Sequence, residues 1–400
     1  MRTFLVGLLV LFCAAAATSG QLRVYQTVHY RLLTDVDDAL ARDLARRLDA
    51  MHDEFSQRLA LFKPATDAPA RLDVYVFQKR ADYVRLTDNR LPNSGGVFMS
   101  GRNLLALFVE GQGREATRHT LQHEAFHQFA HARISPNLPI WVNEGLAQLF
   151  EEGIWTGRAF SIGQVPPRRL RQLRADLAGN RLTPFRDFLK LDDKTWADAF
   201  TDRERVATQY NQAWAMVHFL VYATGPDGTP RFRSRFVQFL RLVSQGQNAD
   251  VAWTRAFSDN HAGFEARFRE WAAELRPTRE ATWIEQQDVL ADMLVLLAGN
   301  GTRFDSIRDF REHVRRTRPR LHYTRGTLRW STDADPSVYF RDDSGKHLAD
   351  EQLSFVLRAG APLPDLLYRP APGVQIRTRF WPEGASIEHE TLVESLPVAP

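Results

Sequence analysis

The stretch "HTLQHEAFHQFAH", residues 119–131, places histidines at 119, 123, 127 and 131. Between them Leu121, Ala125, Phe126 and Phe129 recur at helical spacing, so the segment reads as one amphipathic helix over 114–134. On such a helix residues four apart lie about one turn apart on a shared face, and two neighbouring imidazoles can reach a single ion. Pro136 and Pro139 break the pattern, and "WVNEGLAQLFEEG" (141–153) resumes it until Gly153. A helix, a short turn and a returning helix are therefore expected around whatever the histidines do.

The rest of the chain narrows the class. With 400 residues, 44% hydrophobic and 11% aromatic, it has ample material for folded cores. The formal charge is only +4 and no basic block alternates with aromatics, so nucleic acid is not an expected partner. The opening "MRTFLVGLLVLFCAAAATSG" has the basic, apolar and small-residue order of a secretory leader over 1–20, and export to the periplasm or beyond is the expected localisation. Its apolar run is too short for a stable span, and no later segment is long and apolar enough for one. Cys13 is the only cysteine and would leave with the leader. A mature chain without cysteine holds a metal only through histidine, carboxylate or water.

The patterning predicts an α+β fold. Residues 21–112 read as a small mixed β-sheet unit: a strand over Arg23–Leu33, a long helix capped by Asp35 or Asp37, a strand at 70–77, and a strand–turn–strand at 95–111. Residues 113–276 read as mainly helical, with further helices near 167–177, 205–223, 231–244 and 262–275. Pro277 marks a boundary. Beyond it, 277–400 reads as two helices followed by strands in "HYTRGTLRWS", "SVYFRDDSGK" and "VQIRTRFW".

Within the histidine helix, "HEAFH" (123–127) matches His-Glu-x-x-His. The pattern suits a metal site because the two histidines share a face while the glutamate lies beside the ion, placed to take a proton from water. A third histidine six residues after His127 would fall on Arg133, which excludes the zinc proteases built that way. Seventeen residues after His127 stands Glu144, in "WVNEGLA". Here the chain resembles the gluzincins, the thermolysin-like and aminopeptidase-like zinc peptidases. Trp141, Asn143, Glu144, Gly145 and Ala147 match the context of that family's third ligand, and the resemblance spans roughly residues 25–275.

The resemblance implies one zinc ion held by His123, His127 and Glu144, with Glu124 as general base. It implies Tyr210, sixty-six residues after Glu144, as the donor to the oxyanion, and Glu151 as the carboxylate that orients a ligand histidine. Gln148 stands where thermolysin-like relatives carry that acid. Gly95 and Gly96 fall where the family has a cleft-bordering strand, and would let a substrate backbone approach. His119 and His131 read as polar flanks, and His218 as an interior histidine. The chain lacks the Gly-x-Met-Glu-Asn stretch that holds a free amino terminus in many aminopeptidases, so aminopeptidase specificity is not expected. The expected function is a zinc metallopeptidase acting on peptide or protein. The alternative is a zinc-stabilised module that binds peptide or cell-envelope polymer without turnover.

Overall fold

A computed structural model describes residues 21–62, 71–89, 94–342 and 344–395. Residues 1–20, where a leader was expected, lie outside the described residues, and Cys13 with them. The described residues form an α+β fold with two large hydrophobic cores and a smaller third one, of Phe77, Tyr83, Val97, Leu104, Ala106 and Phe108, between the helix Arg80–Leu86 and the first sheet.

The first unit opens with β1 (Arg23–Gln26) and β2 (Tyr30–Thr34), an antiparallel hairpin where one strand was expected over Arg23–Leu33. Asp49 accepts the backbone N–H groups of Val28 and His29, which pins the turn. Apolar–polar alternation runs on through this turn, so it left no mark in the pattern. Helix α1 (Asp38–Arg58) follows, with Asp37 as its cap: the carboxylate accepts the Leu40 N–H at 2.9 Å. Next come β3 (Leu72–Phe77), α2 (Arg80–Leu86), β4 (Gly96–Met99) and β5 (Leu104–Phe108). The sheet order is β1-β2-β3-β5-β4. β2, β3 and β5 run parallel, and β4 lies antiparallel to β5 at the edge.

The helical part begins with α3 (Arg114–Arg133), α4 (Ile140–Glu151) and a small hairpin of β6 (Ile154–Trp155) and β7 (Phe160–Ser161). It continues through α5 (Pro167–Ala178), the short α6 (Phe185–Phe188) and α7 (Asp193–Ala197), and α8 (Arg203–Tyr222). It closes with α9 (Arg233–Ser244), α10 (Ala249–Ala256) and α11 (His261–Glu274). These helices and one face of the sheet share a core in which Phe55, Phe126, Phe129, Phe150, Trp141 and Trp214 are fully or almost fully buried. Burying such side chains is the main favourable term in holding α1, α3, α4 and α8 together, at about 1.5–3 kcal/mol each.

The second core joins α12 (Arg279–Gly299) and α13 (Ile307–Thr317) to an antiparallel sheet. After the hairpin of β8 (His322–Arg325) and β9 (Leu328–Ser331), that sheet is built from β10 (Leu353–Val356), β11 (Asp365–Ala371), β12 (Val374–Glu383) and β13 (Ser386–Ser395). The "HYTRGTLRWS" hairpin and the "VQIRTRFW" strand form as expected. "SVYFRDDSGK" does not: Pro336–Phe340 is a 3-10 turn, since Pro336 fixes φ and Asp335 caps the turn through the Ser337 N–H. Charge joins the two units. Glu390 of β13 meets both Arg47 of α1 and Arg118 of α3, and Glu383 of β12 meets Arg114. Among the described residues, no helix is long and apolar enough to cross a membrane.

Candidate metal centre

Three side chains from two helices converge. His123 and His127 present their Nε2 atoms toward Glu144, at 3.3 Å from Oε2 and 3.8 Å from Oε1 respectively. The ligand atoms of all three lie within 4.8 Å of one another. The imidazoles stand edge to face, 4.7 Å between centroids, so both ring planes tilt toward a common point. Glu144 Oε2 is buried and has no hydrogen-bond partner among the described residues. A buried carboxylate oxygen without a donor is costly unless a cation completes it. The set of two imidazoles and one carboxylate fits a zinc ion and leaves a fourth position open.

The electrostatics of these residues show the same preference for positive charge. Burial alone would lower the His123 pKa, but Glu144 and Glu151 outweigh it and hold the imidazole well above its usual value. Burial also works against an ionised Glu144, and the two histidines overcome it, leaving its pKa lowered. A proton on His123 thus sits where a cation would.

Helix packing explains why Glu144 arrives here. Gly145 lies where α4 crosses α8, and a Cβ there would stand 2.5 Å from the Ala213 carbonyl oxygen and 2.6 Å from Val217 Cγ2. Only glycine lets the helices approach this closely. The close crossing places Tyr210 of α8 within electrostatic range of the site. Burial raises the Tyr210 pKa well above its usual value, and Glu144 and Glu124 add to the effect. Its ring packs edge to face on Trp196, 5.2 Å between centroids. The phenol stays protonated near neutral pH and remains a hydrogen-bond donor.

Glu151 lies against the other side of the His123 ring. His123 Nδ1 donates to its Oε2 at 3.0 Å, which turns Nε2 toward Glu144. Burial would raise the Glu151 pKa, but His123 and Arg169 bring it down to about 2. Gln148, the departure from the thermolysin-like pattern, accepts from Arg169 Nη1 at 2.6 Å. Arg169 also donates through Nε to Glu152 at 2.5 Å, and Arg168 meets the other oxygen of Glu152. A buried charge network therefore backs the wall behind His123. Neither arginine stood out in the sequence, where "PPRRL" reads as an ordinary basic helix start.

Glu124 reaches the edge strand. The Phe98 N–H of β4 donates to Glu124 Oε2 at 2.8 Å, so the strand's free side and the carboxylate share one hydrogen bond. Sequence reasoning missed Phe98, because a backbone donor leaves no mark in residue type. The neighbouring glycines pack closely. The space a side chain would fill at Gly95 holds the Gln112 amide, and at Gly96 it holds Thr120 Cγ2, 2.6 Å from an added Cβ. At Gly96 the missing side chain lets β4 approach α3, and at Gly95 it makes room for the turn that precedes α3.

The remaining histidines separate clearly. His119 is no solvated flank: its Nδ1 lies 3.0 Å from the Glu151 carbonyl oxygen, and burial lowers its pKa to about 4. His131 packs near Phe98, 5.5 Å between ring centroids. His218 is an interior residue with Nε2 3.2 Å from the Gly163 carbonyl oxygen, away from the three converging ligands.

A family profile described as "Protein of unknown function (DUF1570)" matches residues 117–247. The matched stretch takes in His123, Glu124, His127, Glu144, Glu151, Arg169 and Tyr210. No curated protein matches the chain.

Proposed function

We propose that the chain is an exported, zinc-dependent metallohydrolase of gluzincin type, acting on peptide bonds of a peptide or protein substrate. The observation that carries this reading is the convergence of His123, His127 and Glu144 beside a Glu124 carboxylate held at the edge of β4. His123, His127 and Glu144 would hold a zinc ion, which when bound would supply Lewis acidity to a water and a carbonyl. The protein's own groups do the rest. Glu124 lies between the two ligand histidines in sequence and takes the proton from the attacking water, then passes it to the leaving amine. Tyr210, kept protonated, donates to the oxygen that gains charge. Glu151 fixes the His123 ring, and Arg169 holds the wall behind it.

Apart from the Phe98 N–H that Glu124 accepts, the outer edge of β4 suits an extended peptide, which would lie along it with its carbonyl beside Glu124. A zinc ion serving structure alone requires no carboxylate held in this manner and usually has its fourth position closed by protein. That contrast favours turnover over a purely binding role.

Two measurements test the reading. Purified mature protein should carry zinc that falls sharply in Glu144→Gln. Glu124→Gln should retain zinc while losing at least about a hundredfold in turnover of a peptide library, the usual scale for a general base. Unchanged turnover in Glu124→Gln would remove that residue from the mechanism, and a wild type that binds zinc but leaves every peptide intact would favour the binding module.

A further inference from the structure

Two turns before His123, α3 carries Glu115 into the junction between the two cores. Oxygens of Glu115 and Asp288 and a ring nitrogen of His389 lie within 4.8 Å of one another. The three residues come from α3, α12 and β13, so the cluster joins the helix of the first site to the C-terminal unit.

The state of His389 points to a ligand. Its side chain is only 10% exposed, and Nε2 lies 2.9 Å from Asp292 Oδ1. Nδ1 is buried and has no hydrogen-bond partner among the described residues. A histidine held at one nitrogen by a carboxylate, with the other nitrogen unpartnered and two more carboxylates near the ring, has the arrangement by which proteins orient a metal-binding ring. Glu115 has capacity to spare. Arg325 Nη2 at 3.9 Å and His119 Nε2 at 3.5 Å both approach Oε1, which leaves Oε2. Five carboxylates (Glu115, Glu285, Asp288, Asp292 and Glu388) line the same space with the imidazoles of His119 and His389 and the guanidinium groups of Arg168 and Arg325; Arg168 is committed to Glu152 and Glu285 to Arg171, so carboxylate remains in excess around His389. A cavity of about 290 Å³ borders all of these groups and has room for water to complete a coordination shell.

We propose that Glu115, Asp288 and His389 form a second metal site, for a divalent first-row transition ion of the zinc or manganese class. One imidazole with two carboxylates suits such ions, whereas calcium calls for six to eight oxygens. The ion would clamp α12 and β13 to α3 and so brace the histidine helix from the C-terminal side. This inference does not rest on the hydrolase reading.

The test is a zinc titration of metal-stripped full-length protein in four forms: wild type, Glu144→Gln, His389→Gln and the double variant. Two equivalents are expected in wild type. His389→Gln should lower the stoichiometry by one in either background, and zinc should raise the melting temperature of Glu144→Gln more than that of the double variant. One equivalent in wild type and in Glu144→Gln, with none in His389→Gln, would sink the hydrolase reading and leave the clamp standing. Equal zinc binding with and without His389 overturns the clamp, and so does a Glu144→Gln protein that binds no zinc. If His389→Gln does not fold, Asp288→Asn in the Glu144→Gln background replaces it and should weaken the remaining equivalent at least tenfold; undiminished affinity overturns the proposal.

Discussion

The backbone of Gly145 lies so close to Ala213 that a single added methyl would meet the Ala213 carbonyl oxygen at 2.5 Å. This contact sets how near α4 lies to α8, and therefore how near Glu144 lies to Tyr210. The glycine of the Asn-Glu-Gly motif is thus a spacer between helices. Gly145→Ala should push the helices apart at a cost of about 1–3 kcal/mol, the range for overpacking a tight interior. Because Glu144 is the adjacent residue, zinc affinity should fall as well. Chemical denaturation and a chelator competition on the same sample check both effects. A variant as stable and as zinc-avid as wild type would show that the crossing relaxes freely.

Glu151 acts on the proposed metal only through His123. Replacing it with alanine leaves Nδ1 without its carboxylate acceptor and frees the ring to turn. Zinc affinity should drop about 10- to 100-fold, the usual cost of losing such an outer acceptor. Glu151→Gln keeps an acceptor oxygen and should lose less. Equal losses in the two variants would mean that the negative charge matters and ring orientation does not.

The α3 helix, the break at Pro136–Pro139 and the returning α4 were legible because apolar spacing and proline act locally. Glu144 and Glu151 were expected near His123 through the family resemblance of the "WVNEGLA" stretch, and both carboxylates do approach that ring. Phe98, Arg169 and Gln148 were not. Their roles depend on a strand edge, a distant helix start and an amide that changes partner, all set by tertiary packing. The packing at Gly95 and Gly96 was hidden for the same reason: sequence shows that a side chain is missing, not which neighbour fills the space. The β1–β2 turn was hidden because its residues keep the strand alternation, with Asp49 on α1 supplying the hydrogen bonds.

Arg169 supports a stability prediction of its own. It is 3% exposed and donates to both Gln148 and Glu152. Arg169→Met removes one of the two cations on a buried Glu152, leaving Arg168 alone to hold it. Breaking a buried pair from one side costs about 3–5 kcal/mol. The expected result is a large fall in the denaturation midpoint. A loss below about 1 kcal/mol would mean that Arg168 or water fully replaces Arg169.

His218 gives the fold a built-in sensitivity to acid that is separate from the metal centre. Burial lowers its pKa from 6.5 to about 4, and the neutral ring sits against the Gly163 carbonyl. The unfolded chain takes up this proton first, near pH 6.5, while the folded chain resists until about pH 4. Stability is therefore fully present above pH 6.5, is lost as pH falls through that window, and changes no further below it. A shift of this size corresponds to about 3 kcal/mol, taken as an order of magnitude. His52 titrates in the same direction, lowered to about 3 chiefly by burial, so it adds to the acid loss without involving His218. His218→Gln retains a donor for Gly163 and removes the titration. Urea denaturation at pH 7 and pH 4 should show wild type losing about 3 kcal/mol more than the variant. Parallel losses in the two proteins would place the acid sensitivity elsewhere in the fold.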